Sequence, residues 1–212
     1  MRLLFAVAAL LAAPDLAVTR AAIATRDDAP PKALLDATFD AWSCAAKRGE
    51  VTRPVAVVID YSRPSTEKRL WVLDLEKGTV VWNELVAHGK GTGENMAETF
   101  SNKEGSHQSS LGAFATLGTY TGENGYSLKL KGLERGVNDG AESRAIVMHG
   151  AWYVDEGLAK KQGRIGRSWG CPAVRDEISQ ELIDRIRDGA LVLAWHPDEP
   201  WRKTSRYVNG CT

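Results

Sequence analysis

Between residues 54 and 87 the chain carries three short apolar runs, PVAVVIDY, RLWVLDL and TVVWNELVA, rich in valine, leucine and aromatics. Runs of this length and branching predict strands, with Glu76-Lys77-Gly78 turning between the second and third. Upstream, PKALLDATFDAWSCAAK, residues 31 to 47, repeats apolar positions at a spacing of three and four: Leu34, Leu35, Thr38, Phe39, Trp42 and Ala45. That period predicts an amphipathic helix over 31–48, ending near Gly49. Farther on, GAFATLGTY, YSLKLKG and RAIVMHG predict three more strands, with Gly122-Glu123-Asn124-Gly125 as a turn. RDEISQELIDRIRDG places Ile178, Leu182, Ile183 and Ile186 on one helical face, with Asp176 as a candidate N-cap and Gly189 past the end. LVLAW, residues 191 to 195, is the last strand. The pattern predicts a mainly β (α+β) fold with flanking N-terminal and C-terminal helices, and lacks the regular alternation of βαβ units.

The stretch HGKGTGENMAETFSNKEGSHQSS, residues 88 to 110, has no apolar period and is expected to be a loop lining a cleft. Its glycines do not meet the spacing of a phosphate loop. His107 sits in this loop as a candidate substrate contact, while His88 and His196 read as structural or surface residues.

A chain of 212 residues with 43% hydrophobic content supports one buried core, so a single domain is expected. Lys plus Arg equals Asp plus Glu at 27 each, and no basic run is interleaved with aromatics, so nucleic acid is not an expected partner. The opening MRLLFAVAALLAA holds one arginine followed by an apolar run from Leu3 to Ala13, too short to span a bilayer. It reads as a secretory signal peptide over 1–24, cleaved after Ala22-Ile23-Ala24, leaving a single domain over 25–212 in the periplasm. The alternative is an amphipathic or core helix at the N-terminus. No other segment is apolar enough to span a membrane.

In an oxidising compartment three cysteines leave at least one thiol outside an intramolecular pair. Cys171 has the distinctive context, RSWGCPAV, so Cys44 and Cys211 are expected to pair; two further free thiols are the alternative. A cysteine nucleophile needs a nearby imidazole or positive field. His149 ends the apolar run from Ala145 to Met148 and is followed by Gly150, which delivers an imidazole to the rim of the core. Pro172 has no N–H and cannot donate to an oxyanion, so the amides of Gly170 and Cys171 are the candidate donors, and Ser168 is placed to bond within the turn. A reactive Cys171 of this kind is expected to be alkylated faster than an ordinary exposed thiol near neutral pH. The competing reading is a buried, inert thiol beside a hydrogen-bonded rim histidine. No His-Glu-x-x-His or paired Cys-x-x-Cys is present, so no metal is expected.

The order His149-Gly150, then Ser168-Trp169-Gly170-Cys171, resembles the signature of YkuD-type L,D-transpeptidases: a histidine, a variable stretch, then Ser/Thr-His-Gly-Cys. SSLGAF, residues 109 to 114, resembles the Thr-Pro-x-Gly-x-Phe segment of the same family, and the wording SWGCPAV is similar to its murein L,D-transpeptidase catalytic domain branch. The resemblance covers roughly residues 54 to 195. It implies a curved β-sandwich and an enzyme whose cysteine attacks the carbonyl between the third and fourth residues of a peptidoglycan stem peptide. D-alanine leaves, and an amine or water resolves the thioester. By position the resemblance makes Cys171 the nucleophile and His149 the base, puts Gly150 beside the base, and builds the turn from Ser168, Gly170 and Cys171. It implies no cofactor.

Trp169 stands where the family pattern has a second histidine, and the arginine that usually follows the cysteine within two residues is here first met at Arg175. Arg175, Arg167 and Arg144 are therefore candidates to hold the stem carboxylate. Trp152, Tyr153 and Trp169 could form an aromatic wall against a glycan or peptide. Hydrolysis by an L,D-carboxypeptidase or amidase of the same fold and a non-catalytic peptidoglycan-binding module are the rival functions; a generic cysteine protease would need an Asn or Asp to orient the histidine.

Overall fold

The run Val55–Asp60 (β1) is buried at every position, as a strand flanked on both sides and covered on both faces must be. In the computed structural model, which describes residues 15–197 and 199–212, β1 pairs antiparallel with β2 (Leu70–Asp74) and parallel with a strand at Leu191–Trp195, named β8. β2 carries β3 (Thr79–Glu84) on its other side. β8 pairs with β4 (Gly112–Gly122), which continues through a turn into β5 (Gly125–Gly132). β5 pairs with β6 (Val147–Gly150), and β6 runs parallel to the two-residue β7 (Ala173–Val174).

These eight strands form one sheet in the order β3-β2-β1-β8-β4-β5-β6-β7. The sheet curls until its ends meet, because Ala87, just beyond β3, bridges to Ala173 of β7. This isolated bridge brings the two ends together and gives a barrel-like body. The expected sandwich is thus one sheet folded back on itself.

The predicted helix is α2 (Lys32–Lys47), which buries Leu34, Leu35, Phe39 and Ala45 against β1 and β8. The second predicted helix is α4 (Asp176–Ile186), with Leu182, Ile183 and Ile186 in the core. Arg175, not Asp176, occupies its N-cap position; Asp176 and Glu177 lie inside the first turn, where carboxylates meet the positive end of the helix dipole. Helices α3 (Glu156–Gln162) and α5 (Glu199–Thr204) and the strand β7 are too short to show a period in the sequence.

The apolar run at residues 3–13 lies outside the described residues. Helix α1 (Leu16–Ala24) is capped by the Asp15 side chain, which accepts from Ala17 N and Val18 N, and packs on α2 and β3. Its Ile23 is wholly buried in the main core. The folded body therefore includes α1, and cleavage after Ala24 would remove it. No helix among the described residues is long and apolar enough to cross a membrane.

Candidate active site

The register of the short parallel pair β6–β7 sets His149 opposite Ala173. Cys171, two residues upstream of Ala173, consequently lies beside Val147, whose N–H donates to Sγ at 3.4 Å. The thiol points its own hydrogen at the Ala145 carbonyl, 3.7 Å away. Cys171 is the free cysteine, because Cys44 and Cys211 form a disulfide across a sequence separation of 167.

Ser168 closes the turn that presents Cys171. Its Oγ donates to the Cys171 carbonyl at 2.6 Å and accepts from the Gly170 N–H at 3.1 Å. The Gly170 amide, expected as an oxyanion donor, is thereby already engaged. Pro172 lacks a hydrogen, and within the turn the Trp169 and Cys171 N–H groups have no partner among the described residues, so the Cys171 N–H is the unengaged amide at the sulfur-bearing residue itself. Gly170 sits at φ +122°, and a Cβ there would come within 2.8 Å of the Gln108 carbonyl, so only glycine fits.

The glycine-rich loop clamps this turn from outside. Ser168 N donates to His88 O, Lys90 N donates to Ser168 O, and Ser109 Oγ donates to Gly170 O while accepting from Gly89 N. His88 is fully buried beside Arg69, whose Nη2 donates to His88 Nδ1 at 2.8 Å. Burial, together with the Arg69 charge, pushes the His88 imidazolium down to about 4. Sequence reasoning assigned His88 only a structural or surface place. Its place under the turn depends on Arg69, and no local signal links the two.

His149 is buried, and its Nδ1–H donates to the Gly150 carbonyl at 2.7 Å. That bond leaves Nε2 with its lone pair, the tautomer of a proton acceptor. Burial holds the imidazole below the usual histidine range, so it is neutral near pH 7. The orienting group is a backbone carbonyl where a generic cysteine protease would use Asn or Asp. Gly150 leaves room for α4, since a Cβ would meet Asp176 Oδ1 at 2.6 Å. No hydrogen bond joins His149 to the sulfur in this structure. Burial pushes the Cys171 thiol up, partly offset by the Val147 N–H and by Arg144.

The three candidate arginines divide. Arg175 is held in a bidentate ion pair with Glu84 at 3.0 and 2.8 Å, and Arg167 is tied to Glu94 at 2.7 Å and to the Gly93 carbonyl at 2.9 Å. Both guanidinium groups already have a carboxylate partner within this chain. Arg144 donates to the carbonyls of Ser101 and Gln108 and to the hydroxyls of Ser110 and Ser106, and its charge acts on Cys171. It ties the loop together beside Cys171.

His107, at φ +54°, stacks on Trp169 with ring centroids 4.9 Å apart, and the Lys90 ammonium lies 5.0 Å from the same indole. Trp152 meets Tyr153 edge to face, and burial pushes the Tyr153 phenol up to about 12. A cavity of 220 Å³ lined by Tyr120, Lys129, Glu142, Ala145 and Val147 borders the sulfur's two backbone partners. Lys90, Ser109 and this cavity were not singled out in the sequence, whereas Tyr153 was named there with Trp152 and Trp169 as an aromatic wall. Ser109 alone had a signal, inside SSLGAF.

Among solved structures, the L,D-transpeptidase 3 of Mycobacterium tuberculosis is similar at 12% identity, with a TM-score of 0.42, over 67% of this chain and 61% of that one. An L,D-transpeptidase of Stackebrandtia nassauensis is similar at 16% identity, TM-score 0.40, over 75% and 66%. Residues 123–326 of the L,D-transpeptidase of Xylanimonas cellulosilytica are similar at 17% identity, TM-score 0.38, over 86% and 94%. This chain spans about three fifths of the length of the mycobacterial structures it matches. No curated protein shows detectable similarity to it. Residues 27–195 match the family model for the L,D-transpeptidase catalytic domain, and with that match over most of its length the chain belongs to the L,D-transpeptidase catalytic domain family.

Proposed function

We propose that this chain is a cysteine-dependent peptidoglycan L,D-transpeptidase that uses Cys171 to take the acyl group of a stem tetrapeptide. The observation that carries the reading is the β6–β7 register, which lines up a free thiol and a neutral, oriented imidazole along adjacent parallel strands. As Sγ attacks the carbonyl joining the third and fourth stem residues, the thiol proton passes to His149 Nε2. The carbonyl π electrons move to oxygen, and the oxyanion is met by the Cys171 N–H. Collapse breaks the C–N bond, and His149 returns the proton to the leaving D-alanine amine. The thioester is then resolved by the amine of a second stem, whose proton leaves by the same imidazole.

Because the resting thiol is held up by burial, it is activated by proton transfer at the moment of attack, with no standing thiolate. The Cys44–Cys211 disulfide supports an oxidising, periplasmic site of action reached through export.

The test is intact mass of the protein after incubation with purified disaccharide-tetrapeptides, with analysis of the muropeptides formed. Loss of D-alanine and appearance of cross-linked dimers, both absent in Cys171→Ala, is the expected result. Tripeptide without dimers would assign water as the acceptor and an L,D-carboxypeptidase activity. Unchanged stems with the wild-type protein would leave a binding module.

A further inference from the structure

Two indoles stand out in water beside the nucleophile and the base. Trp152 is 76% exposed and Trp169 is 69% exposed, the highest values among the exposed large hydrophobic side chains. Trp169 precedes Cys171 by two positions and Trp152 follows His149 by three. Since β6 and β7 run parallel, the two tryptophans leave the Cys171–His149 row at opposite ends.

Neither ring is loose. Trp169 stacks on His107 at an interplanar angle of 19° and carries the Lys90 ammonium over its ring, and the residues on both sides of it are fixed by Ser168 and Ser109. Trp152 is met by Tyr153, whose ring packs against Gly166. Ring surface that is pre-ordered yet left in water loses little entropy on binding and gains from being covered. His107 and Lys90 lie against the indole itself and bring N–H groups to it, and most of the Trp169 surface is still left in water. An apolar plane with donors at its edge suits a pyranose ring, which presents C–H bonds on a face and hydroxyl and acetamido oxygens around its rim.

We propose that Trp169, with Lys90 and His107, and Trp152 form a carbohydrate-stacking site flanking the catalytic row, so that the glycan strand carrying the stem is bound together with the stem. This rests on the proposed function for its biological ligand, and the binding itself needs no catalysis.

The probe is a stem-free N-acetylglucosamine tetramer, titrated into the full-length Cys171→Ala protein and followed by tryptophan fluorescence. Saturable quenching is expected, weakened about tenfold or more by Trp169→Ala and by Trp152→Ala, with Trp169→Phe recovering part of the loss. Thermal midpoints control for folding, which exposed side chains should leave in place. No binding in the millimolar range, or equal binding by the Trp152→Ala/Trp169→Ala double variant, would overturn the site. In the active protein, Trp169→Ala should lower the ratio of kcat/KM for disaccharide-tetrapeptide over free tetrapeptide by about tenfold. An unchanged ratio would also overturn it. Tetramer binding in a protein that never turns over stems would defeat the proposed transpeptidase alone.

Discussion

Replacing Ser168 by alanine removes a donor to the Cys171 carbonyl and an acceptor for the Gly170 N–H in a single change. Both bonds are internal to the turn, so the variant should fold with a loss of about 1–3 kcal/mol and lose on the order of 10²-fold in kcat/KM through misplacement of the sulfur. Unfolding curves set beside steady-state rates check this; full activity in Ser168→Ala would remove the turn's role. In the proposed mechanism Cys171 and His149 also set the pH profile. His149 must be neutral to accept a proton, and its depressed ionisation keeps it neutral to lower pH, so the acid limb of kcat/KM should fall below the ordinary histidine value of 6.5. Cys171 has the opposite sign of consequence. Its raised ionisation keeps the thiol protonated, so alkylation of the resting enzyme by iodoacetamide near pH 7 should be slower than for an exposed cysteine and should keep rising above pH 9.0. This reverses the expectation of a fast thiol drawn from the sequence context, because the cost of burial outweighs the pull of Arg144.

At the scale of elements, α1 is the informative case. It looks in the sequence like the end of an exported signal, yet it places Ile23 at 0% exposure against the core. A chain beginning at Thr25 loses that side chain with the whole helix, and Ile23→Ala in the longer chain should itself cost about 2–5 kcal/mol. Urea midpoints of chains beginning at Asp15 and at Thr25 measure the difference directly. Equal stabilities would mean that α1 contributes no packing. The β6–β7 pair is the second informative element: β7 is only two residues long, but its register with β6 fixes where Cys171 meets the row that holds His149. Shifting that register by one residue would turn Cys171 to the other face.

Across the whole molecule, the disulfide joins α2 to the C-terminal tail and closes a loop of 167 residues. In the chain-entropy account such a cross-link contributes up to about 5 kcal/mol, so Cys44→Ser with Cys211→Ser should lower the thermal midpoint while leaving Cys171 the sole free thiol. A second global term comes from His88. In the unfolded chain it takes a proton near 6.5, whereas in the fold it resists until about 4. Its contribution is complete above the unfolded value and is lost as pH falls through the folded one, about 3 kcal/mol in total. Urea midpoints between pH 7 and pH 4 should show this loss, and His88→Asn should flatten it. An unaltered slope in His88→Asn would assign the acid sensitivity to carboxylates. The site feels the same event, since the His88 carbonyl holds Ser168.

Apolar period and turn chemistry determined the strand runs, the helices α2 and α4 and the mainly β class, because each of these buries a face that its own spacing encodes. The motif SWGCPAV and the preceding His149-Gly150 marked Cys171 and His149 as the candidate pair, since a distinctive turn and a strand-end histidine are local features. The context of Cys171 led to the expectation that Cys44 and Cys211 pair, with two further free thiols left open, and the fold forms that pair. Tertiary structure alone decided the rest. That Arg175 and Arg167 pair with Glu84 and Glu94, which arrive from distant segments, has no local signal. The Gly170 amide looked free until the turn folded onto Ser168 Oγ. The stacking of His107 on Trp169 and the burial that raises the Cys171 thiol depend on a loop of no period closing over a sheet edge. Local pattern specifies which face of a segment is buried. Which partner meets a charge, an amide or a ring is set by contacts between residues far apart in the chain, and those exist only once the sheet has curled.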